Sequence, residues 1–212
     1  MRLPRLYPIV DAEMLASRGI SLRFFAEELR DAGVTLLQYR DKLGDREDIL
    51  RNASVLTEVF AGRNVTLVMN DSPSLATLTH WNAVHVGQED AAVSEARAVM
   101  PTDALVGCST HTDHQVIAAD AAGADYIAIG PVFATSTKKD AEPVVGLEGV
   151  RRARALTARP LVAIGGITLQ NAASVIEAGA DSIAVIGALL QQGITPGEAV
   201  QRFFASMSSA TL

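Results

Sequence analysis

A single cysteine, Cys108, is all the thiol in this 212-residue chain. No internal disulfide can form, and a reducing compartment such as the cytoplasm is expected. No run approaches the roughly 20 uninterrupted apolar residues that a membrane span needs. The opening MRLPRLYPIVD lacks the long apolar region and small-residue cleavage site of a signal peptide. Basic charge is also short: 18 Lys and Arg face 24 Asp and Glu, a net −6. A general nucleic-acid binder normally shows a basic surface, so any anion here must be held by local cations. There is no nucleophile–base pair and no Rossmann fingerprint, which weighs against acyl and hydride transfer. Cys108, His111 and His114 lack a fourth ligand at zinc spacing. With no linker or low-complexity tract, residues 1–212 read as one domain, and 49% apolar content suffices for a large core.

What is present is repetition. AGADYIAIG (Ala122 to Gly130) is echoed by AGADSIAVIG (Ala178 to Gly187), with fainter copies in DAGVTLLQYR (Asp31 to Arg40) and NAVHVG (Asn82 to Gly87). Each reads as a helix end, an aspartate turn and an apolar run, with glycine taking the left-handed position after the helix. Eight short apolar runs follow one another: LYPIV, TLLQY, TLVMN, AVHVG, ALVGCS, YIAIG, PLVAIG and SIAVIG. Such runs suit strands buried on both faces of a parallel sheet. Helical patterns such as LRFFAEELRDAG and NAASVIEAGA lie between them. The alternation specifies an α/β fold, and eight units favour a closed (β/α)8 barrel, with an open doubly wound sheet as the alternative.

The polar residues gather where such a barrel keeps its active site, at the carboxyl ends of the strands. Tyr39-Arg40-Asp41-Lys42, Asn70-Asp71, Gln88-Glu89-Asp90, Ser109-Thr110-His111, the loop GPVFATSTKKDA, Gly165-Gly166 and Ile186-Gly187-Ala188 all follow apolar runs. Arg40, Lys42 and Lys138 suit phosphate oxygens. The glycines would let backbone amides approach an anion at a helix start. Asp71 and Asp90 are hard oxygen ligands, and magnesium typically takes one or two carboxylates plus substrate phosphates. Each has a structural reading too. Asp71 and Asp90 could cap helices, Arg40 and Lys42 could be a solvated strand end, and Gly-Gly could serve packing.

The motifs QYRDK, GQED and GPVFATSTK, in that order, with LYPIVD, MND, GCSTHT, LVAIGGIT and AGADSIAVIGAL, span most of the chain. In them the sequence resembles the thiamine phosphate synthase family. The resemblance implies a single TIM barrel, a transferase of thiamine biosynthesis, Mg²⁺ and two small phosphorylated substrates. Enzymes of this kind join a hydroxymethylpyrimidine diphosphate to a thiazole phosphate and release pyrophosphate. By motif, Gln38, Tyr39, Arg40, Asp41 and Lys42 would hold the pyrimidine diphosphate, completed by Asn70, Ser109 and Lys138. Asp71 and Asp90 would bind the metal. Thr135, Ser136, Thr137, Gly166, Ile186 and Gly187 would hold the thiazole phosphate. The catalytic cations would be Arg40, Lys42 and Lys138.

The chain departs from the family pattern in three places. Ser72 stands where an arginine is common after Asn-Asp, Trp81-Asn82-Ala83 replaces Gly-Ala-Asp before the fourth strand, and Gly187 replaces a serine at the last phosphate turn. A related thiazole tautomerase, which needs no metal-bound diphosphate, and a catalytically silent phosphate-binding barrel are the alternative functions. Oligomeric state is left open.

Overall fold

A computed structural model describes residues 2–135 and 142–208. Its eight strands are β1 (Leu6–Asp11), β2 (Leu36–Arg40), β3 (Thr66–Asn70), β4 (Ala83–Val86), β5 (Leu105–Thr110), β6 (Tyr126–Ile129), β7 (Leu161–Ile164) and β8 (Ser182–Val185). Each of the eight apolar runs forms its strand. They pair in parallel and in sequence order, and β8 returns to β1 to close the barrel. The open sheet is thereby excluded. The helices are α1 (Ala12–Ser17), α2 (Leu22–Asp31), α3 (Arg46–Val59), α4 (Pro73–Leu78), α5 (Val93–Val99), α6 (Asp113–Ala121), α7 (Gly146–Leu156), α8 (Ala172–Glu177) and α9 (Pro196–Ser208). Among the described residues no helix is long and apolar enough to cross a membrane.

Alternation along each strand makes two cores. Outward side chains such as Leu37, Val84, Ile127, Ala163 and Ile183 pack under the helices. Inward ones, among them Ile9, Leu36, Val68, Ala128, Val162 and Ala184, fill the barrel itself. Every residue of β4, β6 and β8 is buried. Full burial of an aliphatic side chain stabilises by about 1.5–3 kcal/mol, so these runs cannot be read in any half-exposed arrangement.

The repeat has a physical cause. Asp125 Oδ2 accepts from the Val106 amide at 2.7 Å and from Arg97 of α5. Asp181 Oδ2 accepts from the Leu161 amide at 2.8 Å and from Arg154 of α7 at 2.9 Å. Each aspartate amide returns a 2.8 Å bond to the carbonyl of the same neighbouring residue. The aspartate thus stitches its strand to the preceding one and to a helix end. In the β4 copy the departure is His80-Trp81-Asn82, one residue earlier than the expected Trp81-Asn82-Ala83. His80 and Trp81 bond back to Thr77 and Ala76 as Gly123 and Ala124 bond to Asp120 and Ala119. His80 takes the left-handed glycine conformation at φ 58°, and Asn82 offers its amide to the Asp103 carbonyl at 3.4 Å instead of a carboxylate to an arginine. Trp81 is core, its Nε1 donating to Thr57 Oγ1 at 2.9 Å.

Candidate active site

The carboxyl ends of the strands bring most of the expected residues to one rim. On β2, pleating turns Gln38 and Arg40 to the barrel interior and mouth and Tyr39 to the opposite face. Arg40 Nη1 binds Asp11 Oδ2 at 2.5 Å, and Asp11 Oδ1 caps α1 through the Met14 amide at 2.9 Å. Asp11 is only 5% exposed, so the guanidinium is aimed by a buried carboxylate. Sequence reasoning missed this residue, although an acid closing LYPIVD at a strand end was its visible signal.

Tyr39 and Asp41 do not face the rim. The Tyr39 ring lies under the helices; its hydroxyl donates to Asp41 Oδ2 at 3.0 Å and accepts from Asn52 Nδ2 at 2.9 Å. Burial raises its pKa above the ordinary phenol value. Asp41 Oδ1 accepts from the Leu43 and Gly44 amides at 3.2 and 2.7 Å. Together they brace the loop that presents Lys42.

Lys42 makes an ion pair with Asp71, which has Asp90 as a neighbouring acid. Burial, followed by the neighbouring Asp90 charge, raises the Asp71 pKa against the opposing pull of Lys42. Asp90 also accepts from the Gly87 amide at 2.8 Å. Asp71 sits at φ 62°, in the left-handed region that side chains disfavour. Its amide, bonded to the His85 carbonyl at 2.7 Å, holds it there. Backbone strain of this kind clusters at functional positions. Neither aspartate caps a helix: Ser72 caps α4, bonding the Leu75 amide, and the N-cap of α5 is Ala92. Ser72 is therefore a cap where the family commonly has a cation.

Among the described residues no group of three or more His, Cys, Asp or Glu could hold a metal. Two neighbouring carboxylates, one of them paired with a lysine, fit a divalent ion whose remaining ligands come from a substrate's phosphates. Ser109 and Gln88 line the next strand end, Gln88 Nε2 donating to the Ser109 carbonyl at 2.6 Å. His111 Nδ1 lies 2.6 Å from the Gly130 carbonyl. Cys108 is buried in the outer core, and burial raises its pKa.

The loop after β6 begins as a packed ribbon. Val132 and Phe133 donate to the Ile164 and Gly165 carbonyls at 2.9 and 3.0 Å. That approach requires glycines: a Cβ on Gly166, at φ 64°, would stand 2.5 Å from the Ala134 carbonyl oxygen. Gly165 and Gly166 precede α8, which starts only at Ala172, so they admit the loop and do not head the helix. Thr135 ends the described part of the loop; Ser136, Thr137 and Lys138 lie outside the described residues. Ile186 follows β8, and Gly187 opens a 3-10 turn, Gly187–Leu189.

The sequence pattern of one family, described as thiamine monophosphate synthase, matches residues 6–189. The thiamine-phosphate synthase of Koribacter versatilis is 46% identical over 99% of this chain and 98% of its own. That of Chloroflexus aurantiacus is 40% identical over 88% and 85%. Among solved structures, a thiamine phosphate pyrophosphorylase from Pyrococcus furiosus superposes with a TM-score of 0.85 at 26% identity, covering 98% of this chain and 97% of that one.

Proposed function

Because the chain belongs to the thiamine monophosphate synthase family of transferases, we propose that it joins hydroxymethylpyrimidine diphosphate to a thiazole phosphate, forming thiamine phosphate and pyrophosphate. The observation that carries this reading is the Asp71–Asp90 pair, half-buried and with Asp71 paired to Lys42, together with an arginine held in place by Asp11. A silent phosphate binder would have no need for two carboxylates at an anion site, and a tautomerase no need for a diphosphate clamp.

In this reading Gln38, Asn70 and Ser109 face the pyrimidine, and Arg40, Lys42 and Lys138 face its diphosphate. Mg²⁺ held by Asp71 and Asp90 would supply positive charge to the diphosphate. The pyrimidine methylene loses its leaving group in a dissociative substitution, and the thiazole nitrogen captures the resulting cation. Arg40 and Lys42 stabilise charge that grows on the departing oxygens, so they act more on the transition state than on bound substrate. Thr135, Ser136, Thr137, Gly166 and the Ile186–Gly187 turn hold the thiazole phosphate, fixing the nitrogen behind the methylene. Tyr39 and Asp41 contribute by ordering the Lys42 loop. No protein nucleophile is required. The lone cysteine supports a cytoplasmic setting for the reaction.

The test is direct. Incubation with both substrates and Mg²⁺ should yield thiamine phosphate and pyrophosphate, read by chromatography. No product at saturating substrate would reject the proposal.

A further inference from the structure

Three polar side chains inside the barrel have no part in the chemistry proposed above: Tyr7 on β1, His85 on β4 and Tyr126 on β6. All three are buried. They form one hydrogen-bonded line between two residues of the candidate pyrimidine site. Gln38 Nε2 donates to the Tyr7 hydroxyl at 2.9 Å. The Tyr7 and Tyr126 hydroxyls are 2.9 Å apart. The Tyr126 hydroxyl is 3.0 Å from His85 Nδ1, and His85 Nε2 is 2.8 Å from Ser109 Oγ. The rings are packed to hold this line. Tyr126 stacks on His85 at 22° and meets Tyr7 edge-on at 75°. Room for it comes from Gly107, where a Cβ would stand 2.0 Å from Tyr126 Cζ.

Hydrogen counting gives the line a direction. An amide nitrogen only donates, and each hydroxyl has one hydrogen to give. The Tyr7 oxygen accepts from Gln38, so its own hydrogen goes to Tyr126. The Tyr126 hydrogen then goes to His85 Nδ1, which must be bare. His85 therefore carries its hydrogen on Nε2 and donates to Ser109. The line spends neither the Gln38 amide oxygen nor the Ser109 hydroxyl hydrogen.

We propose that Tyr7, Tyr126 and His85 are positioning residues that fix the polarity of the pyrimidine site, presenting an acceptor at Gln38 and a donor at Ser109. This rests on the function proposed above. A 4-aminopyrimidine offers the complement, an amino donor beside a ring-nitrogen acceptor. Its 4-oxo counterpart sets a carbonyl against the Gln38 amide oxygen, acceptor against acceptor, and its ring N–H takes away the acceptor that the Ser109 hydrogen meets in the amino form. The buried line is thus a specificity device, selecting the amino form of the diphosphate.

Two measurements test it. In the free wild-type protein, ¹⁵N NMR of the His85 ring should find the hydrogen on Nε2; a hydrogen on Nδ1 would reverse the line and overturn the proposal. Tyr126→Phe keeps the ring and removes the central hydroxyl. Calorimetric binding of hydroxymethylpyrimidine diphosphate and of its 4-oxo analogue should show the amino preference falling by about tenfold or more, with thiazole phosphate affinity unchanged. An unchanged amino-to-oxo ratio in the folded variant would sink the idea, because loss of mere packing would weaken both ligands alike. Should Tyr126→Phe not fold, Tyr7→Phe cuts the same line one bond away and is read the same way. If the wild type binds neither pyrimidine, the proposed function fails, and the His85 tautomer still decides the direction of the line.

Discussion

At the amino-terminal end of the barrel, Asp125 and Asp181 each meet an arginine and a backbone amide, in two copies of one sequence repeat. At the carboxyl end, Asp71 neighbours a second acid, Asp90, and pairs with Lys42, and Asp71 has a raised pKa and a left-handed backbone. The same residue type is matched at one end and crowded at the other. Matched charge holds strands and helices in register. Crowded charge costs stability unless a proton or a cation is taken up, so an end built for stability stands against the end where we propose the chemistry.

The sharpest way to break that division is Asp71→Asn, which keeps a residue tolerant of φ 62° while removing the charge. Mg²⁺-dependent turnover should fall by about 10²–10³-fold. The melting temperature should hold or rise, because a like-charge contact has gone and Lys42 is 44% exposed to water. Initial rates across a Mg²⁺ titration, with a thermal melt, read both. A large drop in stability with normal turnover would invert the roles assigned to the two ends.

Asp125→Ala is the converse at the other end. It leaves the Val106 amide without its side-chain acceptor and Arg97 without its carboxylate. The expected loss is about 1–2 kcal/mol, held down because the pair is partly solvated. Urea unfolding measures it, and kcat per folded molecule should stay at the wild-type value. Lost activity in a stable variant would show that the amino-terminal end also serves the site.

The barrel was legible because its strands are buried on both faces and so appear as uninterrupted apolar runs. The rim was legible because polar residues are affordable only where those runs end. Strand pleating was the information left unused. Residues 38 and 40 share a face and 39 opposes it, yet the motif QYRDK had suggested that all its members touch substrate. Tyr7, His85 and Tyr126 were hidden for a different reason: each is a lone polar residue in an apolar run, and only contacts across 119 and 41 residues of sequence join them, with a further 24 from His85 to Ser109. Asp11 needed the same long reach to Arg40. The β4 repeat was displaced by one residue because His80 stands in for glycine, and composition does not mark a left-handed histidine.

A milder change sharpens the comparison at the carboxyl end. Gly187 has ordinary φ, and among the described residues a Cβ there would meet only Met14 Sδ and Cε at 3.6 and 3.8 Å, normal contact distances. Gly187→Ser therefore fits, and restores a hydroxyl at the last phosphate turn. One hydrogen bond to a charged acceptor should lower the KM for thiazole phosphate by about tenfold, with kcat unchanged. A KM equal to the wild type would mean that this turn does not carry the phosphate.

The smallest effect concerns acid. Asp120 lies in the structural network: its Oδ2 accepts from Thr157 at 2.5 Å and its Oδ1 from Arg159 at 3.1 Å. The Thr157 hydrogen bond first, then Arg159, lowers its pKa below the ordinary carboxylate value. A carboxylate with a lowered folded pKa contributes stability that is complete above its unfolded pKa and is lost as pH falls through the folded one. Asp120→Asn should therefore cost stability at neutral pH and little at the acid end, flattening the curve of stability against pH below about 4. Urea midpoints taken from neutral to acid pH in both proteins trace that curve. Parallel curves would remove Asp120 from the matched charges and leave the stitching to Asp125 and Asp181.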